Sequence, residues 1–179
     1  MQLETSRLIL RTPQTKDYLD LWKNGQDQNI SLYTNVVPYP FTQIKAREFI
    51  QFCQRANAKK TTFQFVMELK SSHEVIGYIS LHHLAKDARN AELGYWIGLN
   101  YRRQGITTEA IKKVLEFAFK ELKLEKVYTR IAYPNRASRE IMRKFNFKLE
   151  GIARRQMCRQ GVFMDRYDFG LLKEEYSDK

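Results

Sequence analysis

The chain has 179 residues, 43% hydrophobic and 28% charged, with a formal charge of +11. These proportions suit one soluble globular domain (residues 1–179) with its own core and exclude a disordered, collagen-like or disulfide-built chain. An excess of 31 Lys and Arg over 20 Asp and Glu invites an anionic partner, whether nucleic acid, a membrane surface or a phosphorylated small ligand.

The opening Met1-Gln2-Leu3-Glu4-Thr5-Ser6-Arg7 has no basic run followed by an apolar core, so it does not read as a secretory signal. No apolar stretch nears the roughly 20 residues that span a bilayer. Cys53 and Cys158 form neither a CxxC nor a zinc spacing, so two free thiols, no metal and a cytoplasmic setting are expected.

In chain order, Leu8-Ile9-Leu10 reads as a short strand. Thr15 to Trp22 reads as a helix, Asn35 to Phe41 as a Pro-bearing loop, and Thr42 to Ala58 as a second helix with Ile44, Phe49, Ile50 and Cys53 on its apolar side. Thr61 to Leu69 and Val75 to Leu84 are β-like, joined at Ser71-Ser72-His73; Ala91 to Gly98 is a third such run. Helical spacing of Ile111, Val114, Leu115, Ala118 and Leu122 predicts a helix from about Gln104 to Leu122. Lys126 to Tyr133 alternates as a strand, Asn135 to Phe145 is a shorter helix, and Lys148 to Met157 and Val162 to Leu171 form a hairpin at Gln160-Gly161. Hairpins followed by a strand–helix–strand–helix unit predict an α+β (mixed α/β) fold rather than a doubly wound sheet.

The informative segment is Tyr95 to Ala110. A strand ends at Gly98, a short basic loop follows, and a long helix opens at once. Helix N-termini expose unpaired N–H groups and partial positive charge. With Arg102 and Arg103 beside it, this end is suited to a pyrophosphate, and Gly105 allows close backbone approach. A GKS/T ending and GxGxxG glycines are both missing, which excludes a Walker loop and a dinucleotide fingerprint.

Arg102-Arg103-Gln104-Gly105-Ile106-Thr107 resembles the Arg/Gln-x-x-Gly-x-Gly/Ala loop of the GNAT acetyltransferase superfamily, with Thr107 where a small residue is usual. Thr5-Ser6-Arg7-Leu8-Ile9-Leu10-Arg11, Ile76-Gly77-Tyr78-Ile79, Ala91-Glu92-Leu93-Gly94-Tyr95-Trp96-Ile97, Thr108-Glu109-Ala110 and the run Asn135 to Phe147 are similar to the RimJ/RimL branch, which acetylates ribosomal-protein N-termini. Asn146 stands where that family has Gly; Asn tolerates the left-handed conformation that closes a helix. The resemblance implies the GNAT acyl-CoA N-acyltransferase fold, a mostly antiparallel twisted sheet of about seven strands flanked by about four helices. It also implies acetyl-CoA as donor, no metal, and an amine acceptor that attacks directly in a ternary complex.

The same resemblance assigns residues. Pantetheine is expected to pair with backbone at Trp96, Ile97 and Gly98, in a gap between that strand and the Lys126 strand. Arg102, Arg103, Gln104, Gly105, Ile106, Thr107 and Thr108 would hold the pyrophosphate. Asn135 reads from capping preference as a helix N-cap, and in the family also touches CoA. Ser138, by itself a solvent-facing serine in the helix's first turn, is placed by the resemblance near the CoA sulfur as the acid, with Met142 standing where many of the family have a tyrosine and unable to donate a proton. Glu92 could accept the amine's proton or be an ordinary strand residue. Asp165, in an otherwise apolar row, would bind a substrate ammonium or pair with an Arg. Adjacent His82 and His83 are expected on opposite strand faces. Trp22, Tyr33, Tyr39 and Phe41 could line the acceptor pocket or belong to the core.

Residues 136–166 hold nine basic and three acidic residues; they could meet the CoA 3′-phosphate and ribosomal RNA beside a protein acceptor, or form a solvated face. The expected function is acetylation of a protein N-terminus by a monomer or homodimer with no membrane partner. A polyamine or aminoglycoside-like acceptor, a non-catalytic ribosome or RNA module, and a CoA sensor are the alternatives.

Overall fold

The computed structural model describes residues 1–59, 62–85 and 89–177. The strands are β1 (Gln2–Glu4), β2 (Leu8–Arg11), β3 (Phe63–Leu69), β4 (Val75–Ala85), β5 (Asn90–Ile97), β6 (Lys126–Ala132), β7 (Lys148–Arg159) and β8 (Val162–Leu172). The α-helices are α1 (Tyr18–Asn24), α2 (Gln28–Tyr33), α3 (Gln43–Ala58), α4 (Ile106–Glu116) and α5 (Arg136–Lys144). The expected strand start at Thr61 lies outside the described residues.

The eight strands form one sheet in the order β1-β2-β3-β4-β5-β6-β8-β7. Every neighbouring pair is antiparallel except β5–β6. That one parallel contact follows from chain path, because β5 returns to β6 through the α4 crossover and cannot reach it by a tight turn.

The apolar residues sort onto two faces. Alternation along β3 sends Phe65 and Met67 to the α4 side, where they meet Ile111, Val114 and Phe117. Val66 turns to the other side, with Tyr78 and Trp96, against Leu21 of α1 and Phe49 and Ile50 of α3. Central strands covered on both faces read as nearly continuous apolar runs.

Eight strands and five helices replace the expected seven and four. The additions are β1 and α2, three and six residues long, too short to show a period. The helix expected over Thr15 to Trp22 is a 3₁₀ turn (Thr15–Asp17) leading into α1. α4 starts two residues later than Gln104 and continues as a π-helical turn over Phe117–Glu121. Ile44, expected on the apolar side of α3, is 70% exposed. Asn146 has φ 59°, and the Phe147 N–H returns to the Met142 carbonyl at 3.0 Å, so it closes α5 as expected.

Candidate active site

The site begins where β5 and β6 part. Their parallel register pairs Asn90 with Lys126, Ala91 with Val127 and Glu92 with Tyr128, and stops there. Beyond Glu92, β5 stays with β4 as far as Ile97 paired to Gly77. Over the same stretch β6 stays with β8 as far as Ala132 paired to Arg166. A V-shaped gap therefore opens with the facing edge of Leu93–Ile97 unpaired to β6. The Trp96 side chain is packed in the core against α1 and α3, so toward the gap this residue offers backbone.

At the open end lies the loop to α4. Gly105, the N-cap, has φ 75°, and no side chain caps the helix. Arg103 also lies in the left-handed region, at φ 62°. Alternating left-handed positions before an uncapped helix leave the amides of Ile106, Thr107 and Thr108 pointing outward, a concave anion cradle. The two arginines differ. Arg102 is spent on the fold: its guanidinium pairs with Asp27 at 2.6 Å and donates to the Ile97 carbonyl at 3.3 and 3.4 Å. Arg103 is exposed. Beneath the loop, Glu109 accepts from Thr5 Oγ1 (2.5 Å), Ser6 Oγ (3.0 Å), Arg7 N (2.9 Å) and Arg7 Nε (2.6 Å). Burial raises the pKa of Glu109, and these four donors outweigh it, bringing it down to about 2.

The other wall is α5. Asn135 Oδ1 accepts from the Ser138 N–H at 3.2 Å, which seats Ser138 in the first turn. Across the gap is Tyr95 of β5. Burial pushes its hydroxyl pKa up to about 12, with the Ser138 side chain acting the other way. That hydroxyl is buried and has no hydrogen bond of ordinary geometry. An orphaned donor beside a serine, facing a strand edge without a partner, fits a ligand lying in the gap. The Tyr95–Ser138 proximity is between residues 43 apart in sequence, and no local pattern announces it.

A cavity of about 880 Å³ adjoins the gap, on the side covered by α3. Ser138, Asn135 and Tyr95 border it, as do Glu92, Arg130, His82 and His83. Both oxygens of the buried Glu92 carboxylate accept from Arg130 of β6, one from Nε at 3.0 Å and the other from an η nitrogen. His82 and His83 were expected on opposite faces. Instead His83 sits at φ 52° where the β4–β5 register shifts, and the rings approach to 4.9 Å edge to face. His82, His83 and Glu92 offer atoms within 4.8 Å of one another, but Arg130 already neutralises the carboxylate. Burial holds His82 below the ordinary imidazole range, opposed by Glu92.

The remaining expected residues divide. Tyr33 lines the cavity; Phe41 is core, Trp22 packs against that core, and Tyr39 is 56% exposed. Asp165 is not on the cavity wall. Its carboxylate accepts the Arg155 N–H at 2.8 Å, where β7 bulges and Arg155 has φ 50°. In the basic segment, Arg139 stacks over Tyr133 and Tyr167, while Arg166 pairs with Asp168 and Arg143 with Glu140. Among the described residues no helix is long and apolar enough to cross a membrane.

Comparison with known proteins agrees with this geometry. The N-acetyltransferase p20 of Bacillus licheniformis is 30% identical over 176 residues, covering 98% of each chain. The ribosomal-protein-serine acetyltransferase of Escherichia coli (strain K12) is 27% identical over 96 residues, 53% of this chain and 51% of its own. The solved structure of the microcin C7 self-immunity acetyltransferase MccE, in complex with acetyl-CoA and AMP, superposes with a TM-score of 0.82 at 21% identity, over 94% of this chain and 93% of its own. The family model for the acetyltransferase (GNAT) domain matches residues 7–148, which take in the gap, the anion cradle and α5. The chain belongs to the GNAT acetyltransferase family.

Proposed function

We propose that this protein is a cytoplasmic single-domain enzyme that acetylates a protein N-terminus of ribosomal type, with acetyl-CoA as donor. The carrying observation is the early end of the β5–β6 register, which leaves a strand edge beside a gap whose open end meets the uncapped N-terminus of α4. Likeness to proteins named ribosomal-protein acetyltransferases supports the acceptor class. The acetyl-CoA complex of MccE supports the donor.

Bound acetyl-CoA supplies an acyl thioester. The chain's own residues would do the rest. The amides of Ile106 to Thr108 hold a diphosphate, assisted by the Arg103 charge, and the backbone at Trp96, Ile97 and Gly98 holds an extended amide chain. Ser138, seated by Asn135, stands beside Tyr95 where a proton can be given to a leaving thiolate. The cavity under α3 receives and orients the amine, and orientation supplies much of the acceleration.

The test is thiol release from acetyl-CoA over a panel of N-terminal peptides, a polyamine, an aminoglycoside and free amino acids, with mass spectrometry of the products. Peptide acetylation at the α-amine is the expected result. Turnover of the polyamine or aminoglycoside alone would move the acceptor to small amines, and thermal stabilisation by acetyl-CoA without any turnover would leave a sensor.

A further inference from the structure

We propose that His82 takes the proton released when the acceptor's ammonium becomes the attacking amine, an inference that rests on the acetyl-transfer reading above. The imidazole is built into the cavity. Gly94, its neighbour on β5, has no side chain, and a Cβ there would lie 2.9 Å from the His82 Cε1. Ser80 Oγ lies 3.2 Å from His82 Nδ1 and can itself donate to the Gly94 carbonyl at 3.5 Å. With the Ser80 hydroxyl turned to the Gly94 carbonyl, the tautomer that fits is Nδ1–H donating to Ser80, with the lone pair on Nε2. Nε2 stands 3.6 Å from Glu92 Oε2, too far for a hydrogen bond and near enough for an ion pair once the ring is charged. Glu92 itself is engaged on both oxygens by Arg130, so protonating it would break a two-armed ion pair. A neutral base whose charged form gains a fixed carboxylate partner is organised for proton uptake.

In this step one ammonium N–H bond breaks and its electron pair stays on nitrogen. The proton goes to Nε2 and later to solvent. The charges that act on His82 are Glu92 of β5, His83 on its own strand and Arg130 of β6; Tyr33 of α2, Lys45 and Glu48 of α3, Tyr78 of β4, Tyr95 of β5, Arg159 of β7 and Arg166 of β8 line the same cavity. Burial lowers its pKa, the charges of His83 and Arg130 lower it further, and Glu92 is the one neighbour among these that raises it.

The experiment combines a pH–rate profile with nitrogen-resolved NMR titration of the His82 ring in the protein free of acetyl-CoA, for wild type, His82→Gln and Glu92→Gln. The expected acidic limb of kcat/KM has its midpoint below the ordinary value of about 6.5 and matches the NMR midpoint. Glu92→Gln should move both midpoints to lower pH. His82→Gln should cut kcat/KM by about a hundredfold or more and leave the acetyl-CoA Kd unchanged. An active wild type whose His82→Gln variant stays within threefold overturns the assignment alone, as does an NMR midpoint unrelated to the kinetic limb. A wild type that releases no thiol with any amine overturns both this inference and the acetyl-transfer reading.

Discussion

Arg7 and Glu109, 102 residues apart, bolt the start of the chain to the first turn of α4 through a 2.6 Å ion pair and a 2.9 Å backbone bond. The same arginine donates to the Gln104 carbonyl at 2.9 Å, so it ties the cradle loop to the start of the chain as well. Glu109→Gln is expected to lower stability at pH 7 by about 2 kcal/mol and to weaken acetyl-CoA binding roughly tenfold, or about 1.4 kcal/mol. The pH dependence has a definite sign. A carboxylate held near 2, against an ordinary 4.5, stabilises the fold above the ordinary value and loses that contribution as pH falls toward 2. Thermal unfolding between pH 5 and 2 should therefore fall more steeply in wild type than in Glu109→Gln; parallel curves would refute the bolt.

Arg102 and Arg103 separate into a structural and a ligand-facing role. The Asp27 that holds Arg102 also caps α2 by accepting from the Asn29 N–H at 3.0 Å. Arg102→Ala should cost about 1–3 kcal/mol of stability. Arg103→Gly should leave stability equal or slightly higher, since glycine removes a left-handed strain of about 1 kcal/mol. Its effect should instead appear as weaker acetyl-CoA binding that fades with added salt. Denaturant midpoints and calorimetric Kd values for the two variants decide it; equal losses in both would refute the division.

What the sequence discloses is local. The Asn135 cap, the Asn146 closure and the Gly105 turn are readable because each depends on a residue's own conformational preference and its near neighbours. Glu109 enters the sequence reading only within the run Thr108-Glu109-Ala110 that is similar to the family, and its partners Thr5, Ser6 and Arg7 come from the other end of the chain. The gap between the strand ending at Gly98 and the Lys126 strand follows only from family likeness, and its start at Glu92 comes from the structure, since no pattern in β5 or β6 says where two parallel strands stop pairing. The His82–His83 pair departs from the expected opposite faces because alternation assumes an unbroken strand, and although histidine tolerates a positive φ better than most residues, nothing around His83 marks the register shift. Asp165 stands out in its apolar row, but that row is not a buried one: Asp165 is half-buried, Phe163 is exposed, and the carboxylate's partner is a backbone N–H freed by a bulge that the sequence does not mark.

Gly105→Ala isolates backbone conformation from space. A Cβ at this position would approach nothing closer than Arg7 Nη2 at 3.6 Å, so no clash arises. The cost is the φ of 75° alone, about 1–2 kcal/mol for an L-residue. The relaxed loop should turn its amides off the cradle. Acetyl-CoA affinity should fall while affinity for the acceptor peptide in its absence stays level; a variant that binds acetyl-CoA as wild type does would show that the cradle amides are not the diphosphate site.

Tyr95 and Ser138 predict opposite signs for stability and catalysis. Because the Tyr95 hydroxyl is buried without a hydrogen bond of ordinary geometry, Tyr95→Phe should raise the stability of the unliganded protein by about 1 kcal/mol. The same variant should show a smaller thermal shift with acetyl-CoA, having lost a donor that the ligand would satisfy. A phenol near 12 remains protonated across the working range, so it can donate beside Ser138 but cannot serve as a base. Ser138→Ala should accordingly lower kcat with little change in the acetyl-CoA KM, and the double variant should lose less than the sum of the two, since both act on one proton. Additive losses, or a Tyr95→Phe protein that melts lower than wild type, would break the pairing of these residues across the gap.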